Sequence, residues 1–210
     1  MVYPIGSLFR FIIIHLVKKI EGLENLPKDT PFVIACNHIS FMDIFVIASE
    51  VTTHLKKKKV YVVSAMFFFF DVISGIIFSE LGGSIRLRRK VHGGFLKSAM
   101  KKLRRGNIVC MFPEGIPKKN NKIRKGKTGV ARLILKGKVP VVPISIQGTI
   151  DVWSKLKWIP RLKRKIEIKI GKPMYFKDYY GKDEDYPTLE KITRIIMKKI
   201  ALLLGQKYNF

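Results

Sequence analysis

Short apolar runs alternate with longer amphipathic stretches along most of this chain. The short runs are rich in β-branched residues and predict strands, whereas apolar residues that recur every three or four positions predict helices. Strands are expected at residues 31–37, 60–64, 83–87, 107–112, 139–146 and 165–170, and helices at residues 40–51, 67–78, 91–105, 128–136 and 187–204.

This alternation of strand and helix is typical of an α/β fold, in which a largely parallel sheet is flanked by helices. No internal repeat or low-complexity linker divides the chain, so residues 21–210 are expected to form a single domain. Pro140 and Pro143 fall inside the strand at 139–146. Because proline donates no backbone hydrogen bond, this strand is expected to lie at an edge or to bend.

Residues 1–20 are predicted to form an amphipathic helix that lies in a membrane interface. The apolar run at residues 8–17 is too short and too interrupted for a transmembrane helix, which needs roughly 20 apolar residues. A helix that packs against the protein core fits the same pattern. Residues 60–83 are long enough to span a membrane, but Asp71 and Glu80 interrupt them, which favours a strand followed by a buried helix.

The charge of the chain is far from balanced. Its 210 residues include 41 Lys and Arg against 15 Asp and Glu, a net charge of +26, which indicates a polyanionic partner. The chain has no zinc-ligand spacing, no RNA-recognition aromatic block and no glycine-rich nucleotide loop, so an anionic membrane surface is favoured over nucleic acid. Trp153 and Trp158 alternate with Lys and Arg, a pattern typical either of membrane docking or of an ordinary basic loop. We therefore expect a peripheral or monotopic protein on the cytoplasmic face of a membrane.

The two cysteines, Cys36 and Cys110, lie in apolar runs that are predicted to be buried strands. Two thiols cannot form a disulfide scaffold, and their spacing fits no zinc site. They are interpreted as small buried apolar residues in a reducing compartment, and no metal site is predicted.

A histidine and an aspartate stand five positions apart directly after the first predicted strand. Along a continuous helix, the side chains of His38 and Asp43 would point about 140° apart and would not meet. They can meet if His38 lies in the loop before a helix that Ser40 caps, because Asp43 in the first turn then points back towards the loop. The carboxylate would hold the proton of one imidazole nitrogen and leave the other nitrogen free to accept a proton from an alcohol. A capping aspartate beside a structural histidine fits the same spacing.

Four segments, in a fixed order along the chain, carry further information about function. They are Asn-His-Ile-Ser-Phe-Met-Asp at 37–43, Gly-Gly-Ser-Ile-Arg-Leu-Arg at 82–88, Phe-Pro-Glu-Gly at 112–115 and Val-Pro-Val-Val-Pro-Ile at 139–144. Together they resemble the four sequence blocks of the 1-acylglycerol-3-phosphate acyltransferases, also called lysophosphatidic acid acyltransferases. Four blocks in the right order are far more specific than any one of them.

The resemblance implies transfer of a fatty acyl group from a thioester of coenzyme A or acyl carrier protein to the free hydroxyl of a lysophospholipid. The first acceptor to expect is 1-acylglycerol-3-phosphate, which would give phosphatidic acid without any cofactor beyond the thioester co-substrate. His38 would deprotonate the hydroxyl, Asp43 would orient His38, and Arg88 would bind the phosphate of the acceptor. The acceptor pocket would be lined by Phe112, Pro113, Glu114 and Gly115.

Two of the four blocks depart from the pattern of that family. The third block usually continues with Thr or Ser and then Arg, where this chain has Ile116 and Pro117. In the second block, Leu87 replaces the usual acidic residue before the arginine. Both departures concern the head group, so another lysophospholipid or glycerol 3-phosphate stays open as the acceptor. A non-catalytic basic protein that binds membranes or nucleic acid is the alternative from a different class.

Overall fold

The computed structural model describes residues 11–56, 59–64, 82–86, 94–117, 120, 122–152 and 165–210. Within these residues the chain forms one sheet of seven strands. The strands are β1 (Val17–Glu21), β2 (Val33–Cys36), β3 (Val60–Ser64), β4 (Gly82–Arg86), β5 (Ile108–Met111), β6 (Val141–Gln147) and β7 (Ile166–Ile170).

The order of strands across the sheet is β1-β7-β6-β2-β5-β3-β4. β2 to β6 all run parallel, whereas β7 is antiparallel to β6 and parallel to β1. The helices are α1 (Met42–His54), α2 (Gly94–Arg104), α3 (Gly129–Gly137), α4 (Thr149–Val152) and α5 (Tyr186–Leu204). The predicted α/β fold with a largely parallel sheet flanked by helices is confirmed.

Helices cover both faces of the sheet and create two apolar cores. Alternate residues of β2 point to opposite faces, so Ile34 and Cys36 pack with α1, whereas Val33 and Ala35 pack with α2, α3 and α5. All four residues of β2 are fully buried, as expected for a central strand covered on both faces.

Of the two alternatives predicted for this strand, an edge position or a bend, the edge position is wrong, because β6 lies between β7 and β2. Pro140 precedes the strand, and Pro143 lies where its partner β7 has already ended. There the N–H of Gly171 donates to the Pro143 carbonyl at 2.8 Å. The only bond missing from this pair is the one that an N–H at position 143 would donate in return. A Cβ at Gly171 would approach the Pro143 ring to 2.9 Å, so the absent side chain makes room for the proline.

The N-terminal segment differs from the helix expected over residues 1–20. Among its described residues, 11–15 are helical and β1 then begins at Val17, paired in parallel with β7. Ile13 and Leu16 are buried in the core on the α1 face of the sheet. This part of the segment therefore packs against the protein, which is the alternative that its apolar pattern had left open.

Several sequence predictions fall outside the described residues. These are the helix at 67–78 and the roles of Arg88, Trp153 and Trp158. Within the part of the chain that the structure describes, no helix combines the length and apolar character needed to cross a bilayer.

Candidate active site

The loops that follow three central strands meet at one edge of the sheet. β5, β2 and β6 are parallel neighbours, and Ala35 is in register with Met111 on one side and Pro143 on the other. Their carboxyl ends therefore lie side by side, which is where parallel sheets gather functional residues. The loops at residues 37–41 and 112–115 and the start of α4 all begin there.

His38 and Asp43 are in direct contact at this edge of the sheet. His38 Nδ1 lies 2.9 Å from Asp43 Oδ2, and their side chains are only 5% and 0% exposed. The same carboxylate oxygen accepts the N–H groups of Ile39 at 2.8 Å and Ser40 at 2.9 Å. The Ser40 hydroxyl accepts the N–H of Met42 at 3.2 Å, so Ser40 and Asp43 together fix the turn that leads into α1.

This contact determines which nitrogen of the His38 ring carries the proton. An ionised carboxylate only accepts hydrogen bonds, so Nδ1 must be the donor to Asp43. In the neutral ring, Nε2 then holds a free lone pair. Nε2 has no hydrogen-bond partner among the described residues. The ring is therefore arranged to accept a proton at Nε2.

The second oxygen of Asp43 is held from the far side by Thr149. The Thr149 hydroxyl donates to Asp43 Oδ1 at 2.6 Å, and both residues are completely buried. Gly148 makes this placement possible with a φ of 82°, since a Cβ there would come within 2.1 Å of the Lys165 carbonyl oxygen. With four donors on its two oxygens, the carboxylate is fully satisfied despite its burial.

Phe112 and Glu114, from the loop after β5, make two further contacts with His38. The Phe112 ring stacks on the His38 ring, with centroids 4.0 Å apart and an interplanar angle of 18°. Glu114 Oε1 accepts the backbone N–H of His38 at 3.1 Å. The imidazole is thus confined both by ring stacking and by an anchored backbone.

Glu114 is itself fixed by Arg124. Its Oε2 accepts the Arg124 backbone N–H at 3.2 Å and the Nε–H at 3.0 Å. The Arg124 guanidinium also donates to the Ile116 carbonyl. Both oxygens of this buried carboxylate therefore bond to the protein, so Glu114 is placed to support His38 and the loop that follows β5.

Asn37 ties the histidine loop to the neighbouring strand. Its side-chain amide donates to the Ile146 carbonyl at 2.9 Å, and its carbonyl accepts the Ile146 N–H at 2.8 Å. The Asn37 side chain thus bonds to both backbone groups of Ile146, as a neighbouring strand would. The connection between β2 and β6 therefore extends one residue beyond Cys36, the last residue of β2.

The other two residues of the Phe-Pro-Glu-Gly segment shape the turn. The Gly115 N–H donates to the Phe112 carbonyl at 2.9 Å, and the Pro113 carbonyl accepts the Lys127 N–H at 2.9 Å. Gly115 is exposed and has a φ of 87°, a conformation that other residues rarely adopt.

Neither cysteine is arranged as a nucleophile. Cys36 and Cys110 are completely buried, and burial raises the pKa of each thiol well above its ordinary value. Among the described residues, no group of three or more His, Cys, Asp and Glu side chains is placed to hold a metal ion.

The structure brings most of the predicted site residues together and adds two that the sequence reasoning missed. His38, Asp43, Phe112 and Glu114 form one connected cluster, while Arg88 lies outside the described residues. Thr149 and Arg124 were not predicted. The position of Thr149 at a strand exit is a weak signal that it could be involved, and nothing local distinguishes Arg124 from the many other basic residues.

Comparison with known proteins places this cluster in a family context. Residues 18–147, more than half of the chain, match the family model described as Acyltransferase. The chloroplast 1-acyl-sn-glycerol-3-phosphate acyltransferase of Brassica napus is 34% identical over 134 residues, which make up 62% of this chain and 37% of that protein. The 1-acyl-sn-glycerol-3-phosphate acyltransferase of Bacillus subtilis is 25% identical over 162 residues, covering 77% of this chain and 75% of that one.

A solved structure supports the same fold. The 1-acyl-sn-glycerophosphate acyltransferase from Thermotoga maritima superposes with a TM-score of 0.70 at 24% identity, covering 98% of this chain and 82% of that one. The chain spans little more than a third of the length of the Brassica relative, 37%. Since the family model matches most of the sheet and all four residues of the His38 cluster, the chain belongs to the acyltransferase family.

Proposed function

We propose that this protein is a 1-acyl-sn-glycerol-3-phosphate acyltransferase. It transfers a fatty acyl group from a thioester, carried by coenzyme A or acyl carrier protein, to the free hydroxyl of the lysophospholipid and forms phosphatidic acid. One observation carries the proposal: a histidine at the edge of the sheet donates Nδ1–H to a buried carboxylate, and its Nε2 bonds to none of the described residues. The names of the relatives supply the substrate class.

In this mechanism, His38 acts as general base and then as general acid. Nε2 takes the proton of the acceptor hydroxyl while that oxygen attacks the thioester carbonyl carbon. As the tetrahedral intermediate collapses, the carbon–sulfur bond breaks, and the imidazolium returns its proton to the leaving sulfur. A carbon–oxygen ester bond replaces the thioester, with no acyl-enzyme and no change of oxidation state.

Asp43 stabilises the imidazolium that forms in the middle of this cycle. Its negative charge lies 2.9 Å from Nδ1, in a site that water barely reaches. A charge–charge contact of this kind is stronger in a buried site than in water. Because Thr149 and two backbone N–H groups hold the carboxylate, it need not reorganise when the ring becomes charged.

The remaining predicted residues are assigned to the acceptor. Arg88 binds its phosphate, as the family blocks imply, since a guanidinium matches two phosphate oxygens. The segment from Phe112 to Gly115 borders the pocket, where Phe112 also holds the catalytic ring. We assign Glu114 a positioning role, because both of its oxygens bond to the protein itself.

The membrane is the source of the acceptor. The net charge of +26 favours peripheral attachment to an anionic surface, as the cytoplasmic leaflet of a membrane provides. No cofactor enters this scheme apart from the thioester itself.

Turnover of a panel of acceptors tests the proposal. The purified protein is incubated with an acyl thioester and with 1-acyl-sn-glycerol-3-phosphate, other lysophospholipids or glycerol 3-phosphate, and thiol release is followed. We expect the fastest release with 1-acyl-sn-glycerol-3-phosphate, and a loss of about 10²- to 10⁴-fold in His38→Ala. His54→Ala is the matched control, because His54 is exposed at the end of α1.

Two results would contradict the mechanism. Full turnover in a folded His38→Ala variant would remove the general base. No thiol release from the wild-type protein with any acceptor, combined with retained vesicle binding, would favour a non-catalytic membrane protein.

A further inference from the structure

A basic groove lies between α2 and α3, apart from the His38 cluster. The two helices pack side by side on the face of the sheet opposite α1. The groove has a volume of about 1090 Å³, with Leu96 and Met100 on its floor. Its cationic walls are formed by Lys97, Lys101, Arg104, Arg105, Arg132 and Lys136.

These cations form two stripes that face one another. On α2, Lys97, Lys101 and Arg104 follow the spacing that places residues along one helix face. On α3, Arg132 and Lys136 are one turn apart. The stripes therefore run along the two rims, with the apolar floor between them.

Little negative charge balances this groove within the described residues. Lys136 lies 3.5 Å from Asp183, whereas the wall cations of α2 and Arg132 make no ion pair with any described residue. Glu184 is the acidic residue that lines the groove itself. The uncompensated charge must be offset by a bound anionic partner or by solvent ions.

The shape and chemistry of the groove select one class of partner. A channel between two helices, with an apolar floor and cationic rims, is complementary to an amphipathic helix whose polar face is acidic. A bilayer surface is flat on this scale and cannot enter a concave groove. A nucleic-acid backbone offers phosphates to the rims but no apolar face to Leu96 and Met100.

The groove also points towards the catalytic edge of the sheet. α2 ends at Arg104, just before β5 begins, and α3 ends shortly before β6 begins. Both helices therefore start at the edge where those strands end, near His38. A Cβ on Gly129, the first residue of α3, would lie 3.5 Å from Met111 at the end of β5.

We infer that this groove docks an acidic amphipathic helix of the protein that carries the acyl thioester. The inference rests on the proposed function and makes it more specific: the donor arrives attached to an acidic carrier protein. The carrier lies along α2 and α3, and its acyl-bearing arm extends over the edge of the sheet to His38.

Charge reversal in the groove tests the inference. Lys97→Glu/Lys101→Glu is compared with the matched control Arg194→Glu/Lys198→Glu, which changes two exposed cations one turn apart on α5. The kcat/KM is measured with the same acyl group on acyl carrier protein and on coenzyme A, and circular dichroism checks folding. We expect kcat/KM for the carrier-bound donor to fall by at least roughly tenfold in the groove variant alone, with the coenzyme A donor unaffected.

Three results for the groove variant would overturn the inference. They are equal losses of kcat/KM with both donors, no loss of kcat/KM with either donor, and a loss only of binding to anionic phosphatidylglycerol vesicles. Binding of fluorescent acyl carrier protein, measured without any turnover, separates this inference from the proposed function. If the wild-type protein transfers no acyl group, the proposed function fails. Weaker carrier binding in the groove variant than in the α5 control would then still support docking, and equal binding would refute it.

Discussion

Thr149 donates a 2.6 Å hydrogen bond to Asp43, although 106 positions separate the two residues in the chain. The bond joins the start of α4 to the start of α1. The other three donors to the Asp43 carboxylate come from His38, Ile39 and Ser40, which are close to it in sequence. In the proposed mechanism, Thr149 is therefore a positioning residue, which would act on the reaction through Asp43.

Thr149→Val is expected to lower kcat by roughly tenfold and to leave KM for both substrates nearly unchanged. The substitution keeps the shape of the side chain but leaves one oxygen of a buried carboxylate unpaired, which costs about 1–3 kcal/mol. Steady-state kinetics and urea unfolding measure the two effects. Thr149→Ser restores the hydroxyl and should recover most of kcat. A purely structural role would lower stability in Thr149→Val without this separation of kcat from KM.

Asp43→Asn is expected to lower kcat by roughly 10²-fold or more. An amide oxygen can still accept hydrogen bonds in place of Oδ2, but it carries no charge to stabilise the imidazolium. Single-turnover measurements of thiol release isolate this step. Near-normal turnover in the asparagine variant would mean that the charge of Asp43 has no part in the reaction.

Arg124→Ala is expected to destabilise the protein by about 1–3 kcal/mol and to lower kcat several-fold, because it removes a side-chain donor from the buried Glu114 carboxylate. Glu114 then holds the His38 backbone less firmly. Lys125→Ala is the control, since that exposed side chain lies 3.8 Å from Glu190 and away from the site. Urea unfolding and kcat are measured for both variants, and identical effects would exclude a specific role for Arg124.

Glu50→Gln is expected to stabilise the protein more at high pH than at low pH. Burial raises the pKa of Glu50 from 4.5 to about 7, and one of its oxygens has no hydrogen-bond partner. The folded protein therefore keeps a proton that the unfolded chain loses, and its stability falls as the pH rises between these two values.

The test compares the free energy of unfolding of Glu50→Gln and wild type near pH 5 and near pH 8. The advantage of the glutamine variant should grow with pH and level off above the folded-state pKa. Glu24→Gln, at an exposed position, should show no such growth. A pH-independent difference at Glu50 would show that the carboxyl is solvated in the folded protein.

The protein is expected to sediment with vesicles that contain anionic lipid and to be released by salt. Its net charge of +26 is attracted to the surface, and the attraction is screened within about 3 Å at 1 M salt. Sedimentation with neutral vesicles is the control. Equal binding to neutral and anionic vesicles at all salt concentrations would contradict electrostatic attachment.

Residues close together in the chain made much of this protein predictable. The β-branched runs and helical repeats depend on each segment's own pattern, so the order of strands and helices and the α/β class follow from them. The contact between His38 and Asp43 could likewise be anticipated, because a strand end, a serine before the helix and the first turn of α1 lie within eight residues, 36–43.

The tertiary structure decided what depends on residues far apart. Pro143 is accommodated inside the sheet because Gly171 lies opposite it, and residues 17–21 become a strand because the edge of β7 is available to them. Thr149 and Arg124 reach the His38 cluster only when β6 and the loop after β5 are in place. Local patterns report which elements a chain can form. Which distant groups satisfy a buried carboxylate depends on how those elements pack, and no single segment of the sequence carries that information.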